Sequence, residues 1–248
     1  MIVASFSGGR SSAMMLDVLH ENYNDEIFTV FCNTGMEHPA TLDFVKACGD
    51  RWGIDAWLEY DGKKSYRVVD YETASRNGEP FAQLIEDRKY LPNMVARFCT
   101  SELKVLTIER YLKDIGIFDY DMAVGIRGDE PRRLAKMRQK DGYIMPLALF
   151  SEVDVDEFWE SMDFDLALPR AGQNLYSNCT LCFLKGGKIK QSIIRENPEM
   201  ADWWIEQELK IGGKFRSDQP DYATMKMIAT DQGDLFGDDE TIPCFCGD

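Results

Sequence analysis

The opening of the chain constrains it more than any later stretch. A short apolar run, Met1 to Ser5, stops at Ser7-Gly8-Gly9-Arg10-Ser11-Ser12, and from Ser11 to Glu21 the apolar residues Ala13, Met14, Leu16, Val18 and Leu19 fall at helical spacing. The reading is a buried strand, a glycine turn and a helix. Such a junction has a physical use. Glycines let backbone N–H groups face a ligand with no Cβ in the way. The helix N-terminus adds partial positive charge. Ser7, Ser11 and Ser12 add hydroxyls, and Arg10 adds a charged fork. The alternative is a tight strand-to-helix turn capped by serines. Neither a Gly-Lys-Ser/Thr phosphate loop nor a Gly-x-Gly-x-x-Gly fingerprint is present.

The elements that follow alternate in type. Glu26 to Cys32 reads as a second strand, closed by Asn33-Thr34-Gly35. Thr41 to Trp52 reads as a helix, Ala56 to Tyr60 as a third strand, Glu102 to Ile115 as a strong helix and Tyr120 to Ile126 as a further strand. Strands alternating with helices predict an α/β fold, a parallel sheet flanked by helices on both faces. Gly62 to Asn93 is polar and mixed, with a short helix near Pro80 to Arg88. Beyond the apolar Ile144 to Leu149, helices are predicted over Val153 to Met162 and Pro198 to Ile211, and Asn178 to Gly187 is a loop with two cysteines. The expected division is a core domain over residues 1–149 and a mixed helical, cysteine-bearing part with an acidic tail over 150–248.

Charge narrows the partners. The net charge of -15 argues against gripping a long nucleic acid over the whole surface, leaving nucleic acid only as a local substrate. Between Arg127 and Lys140 six basic residues stand against two acidic ones, a patch suited to a small anionic ligand. No run of about 18 uncharged apolar residues is present, so no membrane partner is expected. The N-terminus lacks a signal-peptide pattern, and the expected compartment is the cytoplasm.

The seven cysteines are Cys32, Cys48, Cys99, Cys179, Cys182, Cys244 and Cys246. An odd count argues against a disulfide framework. Cys32 and Cys48 read as core residues. Cys179-Thr-Leu-Cys182 and Cys244-Phe-Cys246 have the spacing of soft metal ligands. Those four could form a closed zinc site, or the tail cysteines could remain free thiols. His20 reads as a helix-end residue and His38 as a loop residue that could touch ligand. Asp163 and Asp165 read as exposed carboxylates.

Taken in order, these segments resemble one family. Ser7 to Ser12 resembles the PP-loop of the ATP-pyrophosphatase and adenine-nucleotide α-hydrolase superfamily, with Ser11 where Asp is common. Asn33-Thr34-Gly35, followed by Pro39-Ala40-Thr41, is similar to the Asp-Thr-Gly segment of the phosphoadenylyl-sulfate (PAPS) and adenylyl-sulfate (APS) reductase branch, with Asn33 for Asp. Cys99-Thr-Ser-Glu-Leu-Lys104 resembles that branch's cysteine-then-lysine helix start. Val124-Gly125-Ile126-Arg127 resembles its Gly-x-Arg segment at a strand end. The resemblance covers roughly residues 1 to 190 and extends to phage and bacterial members, including DNA phosphorothioation relatives.

The resemblance implies a Rossmann-like, HUP-type fold and an adenine nucleotide, ATP or PAPS/APS, as ligand. Ser7, Gly8, Gly9, Arg10, Ser11 and Ser12 would cradle phosphate, with Asn33, Thr34 and Gly35 beside the adenosine. Lys104, Arg127, Arg132 and Arg133 would neutralise phosphate or sulfate. Cys99, Cys179 and Cys182, with Cys244 or Cys246 from the tail, would hold a 4Fe–4S cluster, zinc being the alternative. Cys246 would be the thiol nucleophile of a reductase, with Lys104 and Arg127 assisting the reaction. With ATP, attack at the α-phosphate would release pyrophosphate, with Mg²⁺ offsetting charge. With a sulfonucleotide, a thiolate would attack sulfur. An inert nucleotide sensor is a third reading. The acceptor or sulfur donor is open, as is assembly into a homo-oligomer.

Overall fold

The computed structural model describes residues 1–169, 176 and 179–231. The readings placed on Cys244, Cys246 and the acidic tail lie outside the described residues. In chain order the strands are β1 (Ile2–Phe6), β2 (Ile27–Cys32), β3 (Ala56–Tyr60), β4 (Tyr66–Val69), β5 (Asp121–Ala123) and β6 (Tyr143–Ile144). The helices are α1 (Arg10–Asn22), α2 (Pro39–Trp52), α3 (Glu79–Arg88), α4 (Phe98–Thr100), α5 (Leu106–Asp114), α6 (Pro131–Met137), α7 (Glu152–Ser161), α8 (Gly187–Glu196), α9 (Asp202–Ile211) and α10 (Tyr222–Asp231). A π-helical turn, Ser101–Val105, joins α4 to α5, and a 3-10 turn, Pro198–Ala201, precedes α9.

The strands form one six-stranded sheet in the order β4-β3-β2-β1-β5-β6. All pairings are parallel except β3 with β4, which is antiparallel. The fold is therefore the α/β class read from the alternation of elements, with one reversed strand at an edge. Side-chain parity sorts the strand residues between two layers. Ile2, Ala4, Phe6, Phe31 and Trp57 join the core formed with α1, α2 and α7. Val3, Val30, Cys32, Ala56 and Leu58 join the core formed with Ile108 and Leu112 of α5. A further apolar cluster joins Tyr60 and α3 to α8, α9 and α10 through Phe81, Leu84, Ile193, Trp204, Phe215 and Tyr222.

Several elements differ from the sequence reading. The helix over Glu102 to Ile115 is broken by the π turn, so Lys104 does not lie on a regular α-helical face. β4 lies within the polar stretch Gly62 to Asn93. Its residues Tyr66, Arg67, Val68 and Val69 are intermediate or exposed, so it has no buried apolar alternation to read. α8 and α10 were missed as well. α8 opens with lysines, and Lys190 itself is buried. Over residues 222–230, α10 buries Tyr222, Met225 and Ala229. The basic stretch after Arg127 contains α6, which buries Leu134 and Met137 and leaves Arg132 and Lys136 exposed. Among the described residues, no helix is long and apolar enough to cross a membrane.

The topology also singles out one crevice of the sheet. From β1 the chain builds outward through β2 and β3 on one side, whereas β5 and β6 add on the other. The direction of winding therefore reverses between β1 and β5. In open α/β sheets the crevice at the carboxyl ends of such strands is the place for a ligand.

Candidate functional site at the sheet reversal

β1 ends at Phe6, and the loop after it closes around one hydroxyl. Ser12 Oγ accepts from the Ser7 amide at 3.2 Å, the Gly9 amide at 3.3 Å and the Ser7 hydroxyl at 2.8 Å. It donates to the Gly9 carbonyl at 2.9 Å. Gly8 makes this turn possible. Its φ is +77°, and a Cβ there would lie 2.8 Å from Thr41 Cγ2 of α2. The first intrahelical bond of α1 is Ala13 N–H to the Gly9 carbonyl, 3.0 Å. The amides of Arg10 and Ser11 thus belong to the helix end that has no intrahelical acceptor, the anion-attracting end.

β5 delivers the opposite wall. Gly125 lies so close to α1 that a Cβ on it would sit 2.9 Å from Ser12 Cα. Two residues on, Arg127 Nη1 donates to Ser11 Oγ at 3.1 Å across the reversal. The rest of the fork is held by carboxylates: Nε donates to Asp129 Oδ1 at 2.9 Å and Nη2 to Oδ2 at 3.4 Å, with Glu152 at 4.0 Å. Burial disfavours the Arg127 charge, but the bond to Asp129 and the charges of Glu130, Asp129 and Glu152 outweigh it and raise its pKa. The same contact, working against burial, holds the Asp129 carboxyl below its usual range. Gly128 donates to the Phe150 carbonyl at 2.7 Å, which brings the start of α7 beside this wall.

The predicted phosphate ligands are not all brought to this crevice. Ser7, Gly8, Gly9, Ser11, Ser12 and Arg127 are. Arg132 is exposed on α6, and Arg133 pairs with Glu130 at 2.5 Å. Arg10 starts α1, but its guanidinium is held by Asp165 at 2.7 and 3.1 Å and by the carbonyls of Leu166 at 2.5 Å and Leu168 at 2.8 Å. The carboxylate read as solvent-exposed, Asp165, is therefore the partner of a loop arginine.

The segment after β2 is organised differently. Asn33 is fully buried. Its amide donates to Glu59 at 2.5 Å and to the Ser75 carbonyl at 2.8 Å, while its oxygen accepts from the Gly35 amide at 3.1 Å. Glu59, also fully buried, further accepts from the Ser75 amide and hydroxyl at 2.7 and 2.9 Å and from Arg67 Nε at 2.8 Å. Thr34 gives its amide and hydroxyl to the buried Glu37, at 3.0 and 2.8 Å. The side chains of Asn33 and Thr34, predicted to lie beside an adenosine, thus hold the loop itself. Glu37, Glu59 and Ser75 escaped the sequence reading. A lone carboxylate in an otherwise apolar strand, Ala-Trp-Leu-Glu59-Tyr, was the available signal, because a buried charge demands partners.

Three thiols, Cys32, Cys99 and Cys179, lie on the β2 side. Cys179 pairs with Glu37 in an isolated antiparallel bridge, and its Sγ lies 3.5 Å from Thr34 Oγ1. Burial pushes the Cys179 thiol up to about 12, with the Glu37 charge adding to it and Lys104 opposing. Cys32 is likewise pushed up to about 12 by burial, against the Lys104 charge. Burial also raises Cys99, against Arg97 and Lys104. The Lys104 charge therefore acts on the thiols Cys32, Cys99 and Cys179. Cys182 is buried near Lys190 and Tyr222. Among the described residues, no group of three or more Cys, His, Asp or Glu is placed to hold a metal ion. The described cysteines do not by themselves make an iron–sulfur or zinc site.

Fold and crevice together define a Rossmann-like α/β protein with a serine-glycine loop and Arg127 meeting at its sheet reversal. Residues 1–167 match the family model described as the phosphoadenosine phosphosulfate reductase domain, and the chain belongs to that family. It is 31% identical over 197 residues to the uncharacterized nin region protein ORF290 of Escherichia phage lambda, covering 74% of this chain and 66% of that relative. A solved structure, that of phosphoadenylyl-sulfate reductase from Candida auris in complex with phosphate, aligns with TM-score 0.40 and 16% identity. That alignment covers 64% of this chain and 71% of the other.

Proposed function

We propose that the chain is an adenine-nucleotide-binding enzyme of the PAPS reductase family that holds the phosphate or sulfate of its ligand between the β1 loop and Arg127. The observation that carries this reading is the Arg127 to Ser11 hydrogen bond across the sheet reversal. It directs an always-charged fork at the helix end whose first amides lack intrahelical acceptors. Asp129 and Glu152 keep Arg127 charged and oriented until an anion takes their place beside it. The amides of Arg10 and Ser11 and the Ser11 hydroxyl supply the remaining donors. Lys104 stands on the thiol side, where it would serve an incoming sulfur group.

Two reactions fit this placement. With ATP, an acceptor oxygen attacks the α-phosphate, the bond to the β-phosphate breaks, and pyrophosphate leaves with Arg127 offsetting its charge. Mg²⁺ would share that task. With PAPS or APS, a thiolate attacks sulfur and the nucleotide phosphate leaves. Cys32, Cys99 and Cys179 have raised pKa values, and a protonated thiol is a poor nucleophile. Burial thus disfavours these three as the attacking thiolate, and we assign that role to Cys246 from the sequence.

Calorimetric titration with ATP, APS and PAPS tests the binding claim. At least one should bind, and Arg127→Ala should weaken it by about tenfold or more, the size of a lost charge-assisted hydrogen bond. Failure of all three to bind at millimolar concentration would sink the reading. Pyrophosphate and sulfite release then separate the two reactions. Loss of sulfite, but not of nucleotide binding, in Cys246→Ser would assign the nucleophile.

A further inference from the structure

Arg10 lies in the loop proposed to hold phosphate, yet its guanidinium is engaged by residues 165–168. Its side chain is 13% exposed, and its Nε and Nη2 grip both oxygens of Asp165. Nη2 also reaches the carbonyls of Leu166 and Leu168. Asp165 Oδ1 closes the contact from its own side by accepting from the Leu166 amide at 2.7 Å. The backbone of Arg10 is fixed as well, since Trp159 Nε1 of α7 donates to its carbonyl at 3.1 Å. Trp159 is 1% exposed and packs edge-on against Phe44, Phe158 and Phe164, at 5.0, 5.1 and 5.6 Å. The first turn of α1 is thus held from two directions by a segment about 150 residues later in the chain.

We infer that Arg10 is a positioning residue. Its bidentate contact to Asp165, together with the Trp159 bond, sets the angle at which the α1 N-terminus and Ser11 meet the ligand. The inference rests on the proposed nucleotide site. A planar fork locked by one carboxylate and two carbonyls has little freedom to turn toward a phosphate. A lysine at this position keeps the charge but cannot make the fork. Holding the donor amides in place before the ligand arrives improves affinity by removing the cost of ordering them.

The test compares Arg10→Lys, Asp165→Asn and the double variant in the full chain. If Arg10 touched phosphate directly, freeing it by Asp165→Asn would leave nucleotide affinity unchanged or raise it. As a positioning pair, each single change should weaken binding by about tenfold, and the double should be no worse than either single, the signature of coupled residues. Additive losses in the double would overturn the inference. Amide exchange without nucleotide gives an independent arm. Asp165→Asn should speed exchange at residues 10–12, and Arg10→Lys should speed it at residues 165–168, while near-UV circular dichroism shows the fold intact. Exchange unchanged across the pair would overturn the coupling even if wild type bound no nucleotide. Absence of wild-type binding would defeat the proposed function and, with it, the role toward a ligand, whereas the exchange arm separately decides the Arg10–Asp165 coupling.

Discussion

Two loops leave the carboxyl ends of adjacent parallel strands, and they have opposite hydrogen-bond economies. The loop after β1 wraps Ser12 Oγ but leaves the first amides of α1 without intrahelical acceptors, and it meets Arg127 from the segment after β5. The loop after β2 saturates itself: Asn33 and Glu59 are fully buried, and each has several internal partners. Both contain short polar side chains and a glycine, and both look like ligand loops in the sequence. The difference is that the first keeps donors in reserve, whereas the second has used them to fix its own shape. A loop of the second kind can present backbone to a ligand, but its side chains act as structure.

The sharpest way to break this comparison is at Glu59. Glu59→Ala removes the acceptor for the Asn33 amide, for both Ser75 donors and for Arg67, leaving several donors unmatched. Breaking a buried charged contact of this kind costs about 3–5 kcal/mol. Urea unfolding should show a loss of that order. A fully folded variant with wild-type stability would mean that the β2 loop is not the self-contained unit described. Arg127→Ala is the counterpart at the other loop. It should lower nucleotide affinity and leave stability within about 1 kcal/mol, because its partners Asp129 and Glu152 are partly exposed and surface pairs contribute little.

Gly8→Ala probes the geometry of the β1 loop. An L-residue at this positive φ costs about 1–2 kcal/mol, and the Thr41 contact adds to it. Both stability and nucleotide binding should fall, because Gly8 sets the path of the loop that precedes α1. If stability fell while affinity held, the loop amides would not be the ligand's donors.

Much of this arrangement was legible in the sequence. The strand, glycine turn and helix at the N-terminus announced themselves through apolar spacing and Ser-Gly-Gly, and Gly125 and Arg127 stand at the end of a predicted strand. What stayed hidden depends on partners far apart in the chain. Nothing local to Arg10 tells that Asp165 will take its guanidinium, and nothing local to Asn33 tells that Glu59 will take its amide. The edge strand β4 and the helix α10 lack a clean apolar period and are held by tertiary packing, whereas α8 has an apolar face but buries Lys190 with it. Lys190 is 1% exposed, its Nζ lies 5.0 Å from the centroid of the Tyr222 ring, and burial lowers its pKa to about 8. A lysine so placed reads as surface in any pattern based on residue type.

The smallest expected effect lies where the β2 loop enters α2. His38 is the N-cap, and its Nδ1 accepts from the Ala40 amide at 3.2 Å, a bond that needs the neutral ring. Burial lowers the His38 pKa below 6.5, with Asp43 pulling it back. The unfolded chain therefore binds more protons than the folded one in the window just below that value. Stability from this cap is fully present above pH 6.5 and declines as the pH falls. His38→Asn keeps a capping oxygen that does not titrate there. The difference in stability between wild type and His38→Asn should therefore shift against wild type between about pH 7.5 and 5.5, by no more than about 1 kcal/mol, the size of an ordinary cap. A difference independent of pH would show that the ring does not act through its neutral nitrogen. A larger shift, accompanied by loss of nucleotide binding at low pH, would erase the contrast between the two loops, because a self-saturated loop should be able to lose its cap without disturbing the donors next door.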